Sequence, residues 1–158
     1  MNRRDFLKSL AAFTATVPIA SCSKSSRKPN IVFILIDDLG WADIGCYGNK
    51  FNETPNIDNL AKEGMRFTDA YAACPVCSPT RASIISGQYP ARIGLTDFIR
   101  GHWRPYEKLR VPINKTQFLP LDKISFAEAL QHAGYFSGAF GKWHLGGKDY
   151  HPDKQGFD

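Results

Sequence analysis

The sequence contains no apolar run long enough to span a membrane and no dense block of lysine and arginine. A spanning helix needs about 20 apolar residues, whereas the weakly apolar segment at residues 9–20 has roughly a dozen. The net charge is +5 over 158 residues. Part of that charge lies in a basic leader that is expected to be removed, so the remainder does not indicate a nucleic-acid-binding protein.

Cysteine is also scarce: the four cysteines, at positions 22, 46, 74 and 77, form no evident disulfide framework. Cys74 and Cys77 make one Cys-x-x-Cys pair, but a zinc site needs about four ligands, and no second pair is present. A thioredoxin-like pair would open a helix after the first strand of a small redox fold. Here the pair follows a longer unit and precedes Pro-x-Arg, so the redox interpretation is the weaker one.

The first 29 residues resemble an export signal followed by a tether. Residues 2–8 (Asn-Arg-Arg-Asp-Phe-Leu-Lys) resemble a twin-arginine signal, and residues 9–20 suit its apolar region. Residues 19–22 (Ile-Ala-Ser-Cys) resemble a lipobox, which predicts cleavage after residue 21 and lipidation of Cys22. A simple secretory peptide with a fortuitous cysteine is the alternative. We therefore expect a signal peptide at 1–21, a flexible tether at 22–29 and a lipid-anchored protein of the bacterial cell envelope, exported to the periplasm or outer surface.

Three segments predict strands. Residues 31–36 are an unbroken apolar run, which is typical of a strand buried on both faces of a parallel sheet. Residues 65–72 alternate in polarity, and residues 135–140 have the composition of another short strand.

Three segments predict helices between or after those strands. Thr54 and Pro55 favour the start of one helix, with Gly64 at its exit. Residues 77–87 read as a second helix, and the Ser125…Glu128 pair is a capping box that opens a third, ending near residue 133. The alternation predicts an α/β fold with a mainly parallel sheet flanked by helices.

Two adjacent acids follow the first predicted strand. Parallel α/β folds place their sites at the carboxyl ends of strands, which is the position of Asp37 and Asp38. Neighbouring carboxylates repel each other, and a hard cation such as Ca²⁺ would neutralise both. A solvated turn that pivots on Gly40 explains the same residues without a metal.

Cys77 would lie at the N-terminus of its helix, where free N–H groups favour negative charge. Arg81, one turn later, would lean back toward it. Because the topology brings strand-to-helix connections to one edge of the sheet, we expect Cys77 to lie near the acid pair. We therefore expect the thiol of Cys77 to have a chemical role and not to be inert packing.

A third group of polar residues follows the last predicted strand. Lys142 and His144 point to the same side if the backbone is extended, where an ammonium and an imidazole would suit an oxyanion. The alternatives are a solvated lysine and a structural histidine. Residues 102–104 (His-Trp-Arg) could form a binding patch, although a surface loop accounts for them better.

These three groups together resemble the signatures of the formylglycine-dependent sulfatases of the alkaline-phosphatase superfamily. Cys77, Pro79 and Arg81 match the family's Cys-x-Pro-x-Arg, residues 37–41 (Asp-Asp-Leu-Gly-Trp) resemble its acidic motif, and residues 141–144 (Gly-Lys-Trp-His) resemble its second signature. Ser86 and Phe140 depart from the residues usual there. The resemblance covers residues 30–158 and implies an alkaline-phosphatase-like fold, incomplete at the C-terminus.

The resemblance implies a sulfuric ester hydrolase. A maturase would oxidise Cys77 to formylglycine, whose hydrate attacks a sulfated carbohydrate or an aryl sulfate ester. Asp37 and Asp38, with the modified Cys77, would hold one Ca²⁺; Arg81 would stabilise the modified residue, while Lys142 and His144 would bind substrate. As the N-terminal part of a catalytic domain, the chain is expected to show little activity alone.

Two other functions stay open. A phosphonate or phosphodiester hydrolase of the same superfamily could use a similar cysteine and metal. A non-catalytic lipoprotein that binds sulfated glycans would leave the Cys77 thiol unmodified.

Overall fold

The computed structural model describes residues 27–101, 108 and 113–158. The predicted signal peptide, Cys22 and the 102–104 patch lie outside the described residues. The chain divides into two compact units, residues 1–36 and residues 37–158. In the described part of the chain, no helix combines the length and the apolar character that a bilayer crossing requires.

Among the described residues, four α-helices lie in the second unit. They are α1 (Pro55–Glu63), α2 (Cys77–Ser86), α3 (Pro90–Ile93) and α4 (Phe126–His132). Short 3-10 turns lie at Gly45–Tyr47, Lys148–Tyr150 and Pro152–Lys154.

Helix α2 begins and ends where the sequence predicted. Val76 precedes it in an extended conformation, and Gly87 follows it at φ 64°, in the left-handed region that a side chain disfavours. The Gly87 N–H donates to the Ser83 carbonyl at 2.8 Å, which satisfies one of the last free carbonyls of the helix. The predicted placement of Cys77 at the helix N-terminus is confirmed.

The predicted capping box of α4 is also present. The Ser125 hydroxyl oxygen accepts from the Glu128 N–H at 2.9 Å, and the Glu128 carboxylate accepts from the Ser125 N–H at 2.7 Å. The Ser125 hydroxyl donates in turn to the buried Gln155 carbonyl at 2.6 Å. One side chain therefore starts the helix and ties it to the last residues of the chain.

Helix α1 is confirmed, but the predicted role of Thr54 as its side-chain cap is wrong. The Thr54 hydroxyl accepts from the Gly45 N–H at 2.8 Å and donates to the Asp58 carboxylate at 3.1 Å, so it binds a side chain and a neighbouring turn. Leu60, an apolar residue of α1, remains largely exposed.

The predicted sheet is not formed by the described residues. Segments 31–36, 65–72 and 135–140 have no strand assignment. A strand is stable only when a neighbour supplies ladder hydrogen bonds and both faces of a buried strand are covered. Neither condition is met here: Val32 is 83% exposed and Phe136 is 85% exposed. An apolar run favours an extended conformation, but a strand forms only when a neighbouring segment pairs with it, and the run does not determine that segment.

A small apolar core lies under α2. It consists of buried residues from α2, α3 and three connecting segments: Ala82, Ile93, Leu95, Leu119 and Leu145. Ile85, Ile99 and Trp143 pack against it. The Leu119 N–H also donates to the Leu145 carbonyl at 2.9 Å, so the segment around residue 145 is fixed by both packing and hydrogen bonding.

We expect Leu145→Ala to lower the free energy of unfolding by about 2–5 kcal/mol, because Leu145 is fully buried and its truncation leaves a cavity in the core. Leu60→Ala is the matched control, since Leu60 is mostly exposed and its loss should change stability by no more than about 0.5 kcal/mol. Urea unfolding followed by circular dichroism measures both. Equal losses in the two variants would contradict this account of the core.

Candidate active site

The three groups of polar residues singled out by sequence lie together in the second unit. Asp37 contacts Lys142 and Arg81, and Cys77 contacts His144. Asp37 is 44 positions from Arg81 and 105 positions from Lys142 in the sequence. Cys77 and His144 are 67 positions apart. The core explains the meeting, because Ala82 of α2 and Leu145 belong to the same cluster.

Alternate residues of the 142–145 segment serve the core and the site. Trp143 and Leu145 pack in the core, while Lys142 and His144 contact site residues. The Trp143 indole N–H also donates to the Tyr150 carbonyl at 2.8 Å. The predicted common side of Lys142 and His144 is therefore present, although no strand is formed.

His144 connects the cysteine to the loop before residue 100. Its Nδ1 lies 3.2 Å from the Cys77 Sγ, and its Nε2 lies 2.8 Å from the Ile99 carbonyl oxygen. A carbonyl only accepts, so Nε2 carries a proton in this arrangement. In the neutral imidazole Nδ1 is then an acceptor, positioned to receive the proton of the Cys77 thiol.

The backbone at His144 is in the left-handed region, with φ 56°. A non-glycine residue in this region costs about 1–3 kcal/mol unless its surroundings hold it there. Two hydrogen-bonding partners, Cys77 and Ile99, and a buried neighbour, Leu145, hold His144 in place.

Two residues that sequence reasoning missed complete this arrangement. The Ile99 N–H donates to the Ser78 hydroxyl oxygen at 3.1 Å, and Ser78 is fully buried beside Cys77. Ser78 thus holds the loop whose carbonyl orients His144. No side-chain pattern could have indicated Ile99, because it acts through its backbone.

Arg81 contacts the other two groups rather than the thiol toward which it was predicted to lean. One terminal guanidinium nitrogen donates to the Lys142 carbonyl oxygen, and the other lies 3.4 Å from Asp37 Oδ2. Its Nε is buried and has no hydrogen-bond partner within the described ranges. Arg81 is thereby a fixed positive charge between the acid and the lysine.

Asp37 and Lys142 form the most direct ion pair of the site, in which the Lys142 ammonium donates to Asp37 Oδ2. That hydrogen bond is the largest cause that lowers the pKa of the Asp37 carboxyl, with smaller contributions from the charges of Lys142 and Arg81. The same bond raises the pKa of Lys142 above its ordinary value. Both groups are therefore charged near neutral pH.

Asp38 is exposed and adopts a left-handed backbone, with φ 62°. The following turn is closed by Asp43, whose carboxylate accepts from the Gly40 N–H at 2.6 Å. The turn that was the alternative to a metal site is therefore present. Asp37, at the start of this segment, keeps its contacts with Lys142 and Arg81.

The residues fit a calcium site only in part. Asp37 and Asp38 supply the oxygen donors that Ca²⁺ prefers, but the ion takes six to eight ligands. Within residues 27–101, 108 and 113–158, no group of three or more histidine, cysteine or acidic side chains is placed to hold a metal. Two carboxylates therefore supply only some of the ligands that a Ca²⁺ site requires.

Cys74 and Cys77 are both free thiols with different partners. The Cys74 sulfur lies 4.0 Å from the Thr96 carbonyl oxygen, whereas the Cys77 sulfur faces His144. These separate surroundings disfavour a redox pair and leave Cys77 as the thiol in the polar cluster.

Comparison with known proteins matches residues 29–158 to the family model described as Sulfatase. Human arylsulfatase G is 43% identical over 133 residues, which cover 84% of this chain and 23% of that protein. Human arylsulfatase A is 43% identical over 135 residues, covering 84% of this chain and 24% of that protein.

Solved structures give the same result. The crystal structure of Ps i-CgsB superposes with a TM-score of 0.70 at 44% identity, covering 84% of this chain and 27% of that one. Its complex with k-i-k-neocarrahexaose superposes equally well, with a TM-score of 0.70 at 43% identity. This likeness supports the predicted alkaline-phosphatase-like α/β class, although the described residues form only helices and turns of it.

The chain spans about a quarter of the length of the relatives it matches. The family model, by contrast, matches most of this chain, from residue 29 to residue 158. The chain therefore belongs to the sulfatase family.

Proposed function

We propose that this chain carries the nucleophile of a sulfuric ester hydrolase. The observation that carries the proposal is the contact of the Cys77 sulfur with the His144 imidazole, in a cluster that also holds Lys142 and Arg81. A sulfate ester is an anionic tetrahedral group, and two fixed cations beside a nucleophile suit its binding and its developing charge. Membership of the sulfatase family supports the same reaction class.

In this proposal Cys77 is oxidised to formylglycine by a maturase. One hydroxyl of the hydrated aldehyde attacks sulfur and displaces the alcohol of the ester; deprotonation of the second hydroxyl then expels inorganic sulfate and restores the aldehyde. His144 lies at hydrogen-bond distance from the Cys77 side chain and is oriented by Ile99, so it is placed to move a proton at that position.

The two cations have separate tasks in this proposal. Lys142 is half exposed, and its ammonium can reach an entering anion, so we assign it to substrate binding together with His144. Arg81 is largely buried and braces both Asp37 and the Lys142 backbone, so it positions these groups.

Asp37 and Asp38 are the residues of this chain that would hold a divalent ion, which we propose to be Ca²⁺. When bound there, together with the modified Cys77 and ligands beyond the described residues, the ion would withdraw charge from the sulfate group. The donor chemistry of two adjacent carboxylates supports this choice.

The substrate we propose is a sulfated carbohydrate, with aryl sulfate esters as the second class. The oligosaccharide in the crystal complex of Ps i-CgsB favours the carbohydrate, and the names of the arylsulfatase relatives favour the aryl ester.

Replacement of the nucleophile tests the reaction. In the full-length protein that contains these residues, co-produced with a maturase, peptide mass spectrometry should find an aldehyde at position 77. Cys77→Ala should then lower turnover of an aryl sulfate and of a sulfated oligosaccharide roughly a thousandfold or more, because no group remains to attack sulfur. Cys74→Ala is the matched control and should retain turnover, since its sulfur faces Thr96.

Three results would contradict the proposal. Unchanged turnover in Cys77→Ala excludes Cys77 as the nucleophile. Faster hydrolysis of phosphonates or phosphodiesters than of sulfate esters favours the other hydrolase of the superfamily. An unmodified thiol with retained binding of sulfated glycan favours the non-catalytic lipoprotein.

The export signal expected at residues 1–21 supports a separate proposal: the protein is anchored in the cell envelope by a lipid on Cys22. Cys22→Ala should move it from the membrane fraction to the soluble fraction, because the thiol that carries the lipid is lost. Replacing Arg3 and Arg4 by lysine should instead retain it in the cytoplasm. Cell fractionation and immunoblotting measure both, and membrane association of Cys22→Ala equal to that of the unaltered protein would exclude the anchor.

A further inference from the structure

The side chain of Asn114 holds the loop that leads to Ile99. Its Oδ1 accepts from the N–H groups of Thr96 and Asp97, both at 2.8 Å. Its amide nitrogen donates to the carbonyl oxygens of Asp97 at 3.0 Å and Phe98 at 3.4 Å. An amide side chain has one acceptor oxygen and one donor nitrogen, and here both of them bind backbone. One side chain thereby fixes three consecutive residues of the loop.

The same loop is held at both of its ends. At its start, Leu95 is fully buried in the core, and the Lys115 N–H donates to the Gly94 carbonyl at 2.7 Å. At its end, Ile99 packs against the core, and its N–H donates to the Ser78 hydroxyl. The Ile99 carbonyl oxygen therefore belongs to a loop that is fixed along its whole length.

This carbonyl oxygen determines which nitrogen of His144 carries the proton. The His144 Nε2 donates to it at 2.8 Å, which leaves Nδ1 as the acceptor 3.2 Å from the Cys77 sulfur. If the carbonyl moved away, Nε2 would lose this partner, and the imidazole could present an N–H to position 77 instead. The ability of His144 to take a proton at position 77 therefore depends on where the loop places this oxygen.

We propose that Asn114 is a positioning residue for His144, acting through the backbone of residues 96–99 and fixing the imidazole as the Nε2–H tautomer. Within the described part of the chain, the hydrogen bonds of Asn114 reach neither Cys77 nor His144. Its effect therefore passes through the Ile99 carbonyl. This inference rests on the proposed function, in which His144 moves a proton at position 77.

The tautomer of His144 tests the proposal without an assay of catalysis. The full-length protein that contains this chain is produced without a maturase, with ¹⁵N-labelled histidine and with the substitution Cys77→Ser, whose hydroxyl stays protonated. Nuclear magnetic resonance at about pH 8.5, where free imidazole is uncharged, then distinguishes the ring nitrogen that carries a proton from the one that does not. In this background we expect His144 to be the Nε2–H tautomer.

Three substitutions in the same background should change that tautomer. Asn114→Leu removes all four hydrogen bonds, so the ratio of the Nε2–H to the Nδ1–H form should fall about two- to tenfold, as for the loss of one hydrogen bond. Asn114→Asp keeps the two accepted bonds and loses the two donated ones, so it acts in the same direction and serves if the leucine variant does not fold. Ser78→Ala should also lower the ratio, because it releases the Ile99 N–H.

Asn49 supplies the matched control, because its side chain also holds a loop through the backbone. Its Oδ1 accepts from the N–H groups of Phe51 at 2.8 Å and Asn52 at 2.7 Å, and its amide nitrogen donates to the Ala42 carbonyl at 2.8 Å. These partners lie in another part of the chain. Asn49→Leu should therefore disturb its own loop and leave the His144 tautomer unchanged.

His132 is an internal reference in the same spectra. Its Nδ1 lies 2.8 Å from the Glu128 carbonyl oxygen, so the proton is on Nδ1, the opposite arrangement to that of His144. Because His132 lies in α4, its signals should be the same in every folded variant.

The outcomes separate the positioning from the proposed function. An Nδ1–H form of His144 in the background protein, or an unchanged tautomer in a folded Asn114 variant, overturns the positioning even if the protein hydrolyses sulfate esters. An equal change in Asn49→Leu also overturns it, since any loosened loop would then have the same effect. A change in the Asn114 variants that Asn49→Leu lacks supports the positioning, even if no aldehyde forms at Cys77 and no sulfate ester is hydrolysed.

Discussion

The packing of helix α2 against the segment around Leu145 is the constraint on which the site depends. Ala82 of α2 and Leu145 of the 142–145 segment are fully buried in one cluster. The site residues of the same two segments lie next to them in the sequence and contact one another. Burial of apolar surface is non-directional, so by itself it would leave side-chain positions loose. The hydrogen bonds that the Ile99 N–H donates to the Ser78 hydroxyl and that the His144 imidazole donates to the Ile99 carbonyl supply the direction. Packing brings the segments together, and polar contacts then set the geometry.

Charge balance is the second property of the site. One carboxylate, Asp37, faces two cations, Lys142 and Arg81, so the cluster formed by these three groups carries a net positive charge. A cluster of this sign favours the approach of an anion. The hydrogen bond from Lys142 and the two positive charges also explain why the pKa of the Asp37 carboxyl is lowered.

Local signals predicted helices α1, α2 and α4, but they missed the short helix α3 and predicted a sheet that the described residues do not form. The glycine after α2 and the capping box of α4 act within a few residues of themselves, so their effects are present in the structure. Thr54 shows the limit of such signals, since its hydroxyl binds Asp58 and Gly45 instead of the helix end. The apolar run at 31–36 shows it more strongly, because a strand depends on partners that its own residues do not supply.

The sequence by itself determined which chemical groups are available and where two of the helices begin and end. It placed an acid pair, a cysteine with an arginine, and a lysine with a histidine in three separate segments, and their types pointed to anion chemistry. Only the tertiary structure decided that Arg81 binds Asp37 and Lys142 rather than Cys77, and that His144 is oriented by the Ile99 backbone. The physical reason is range: a cap or a turn is settled by neighbours in the chain, whereas these contacts join residues 44 or more positions apart.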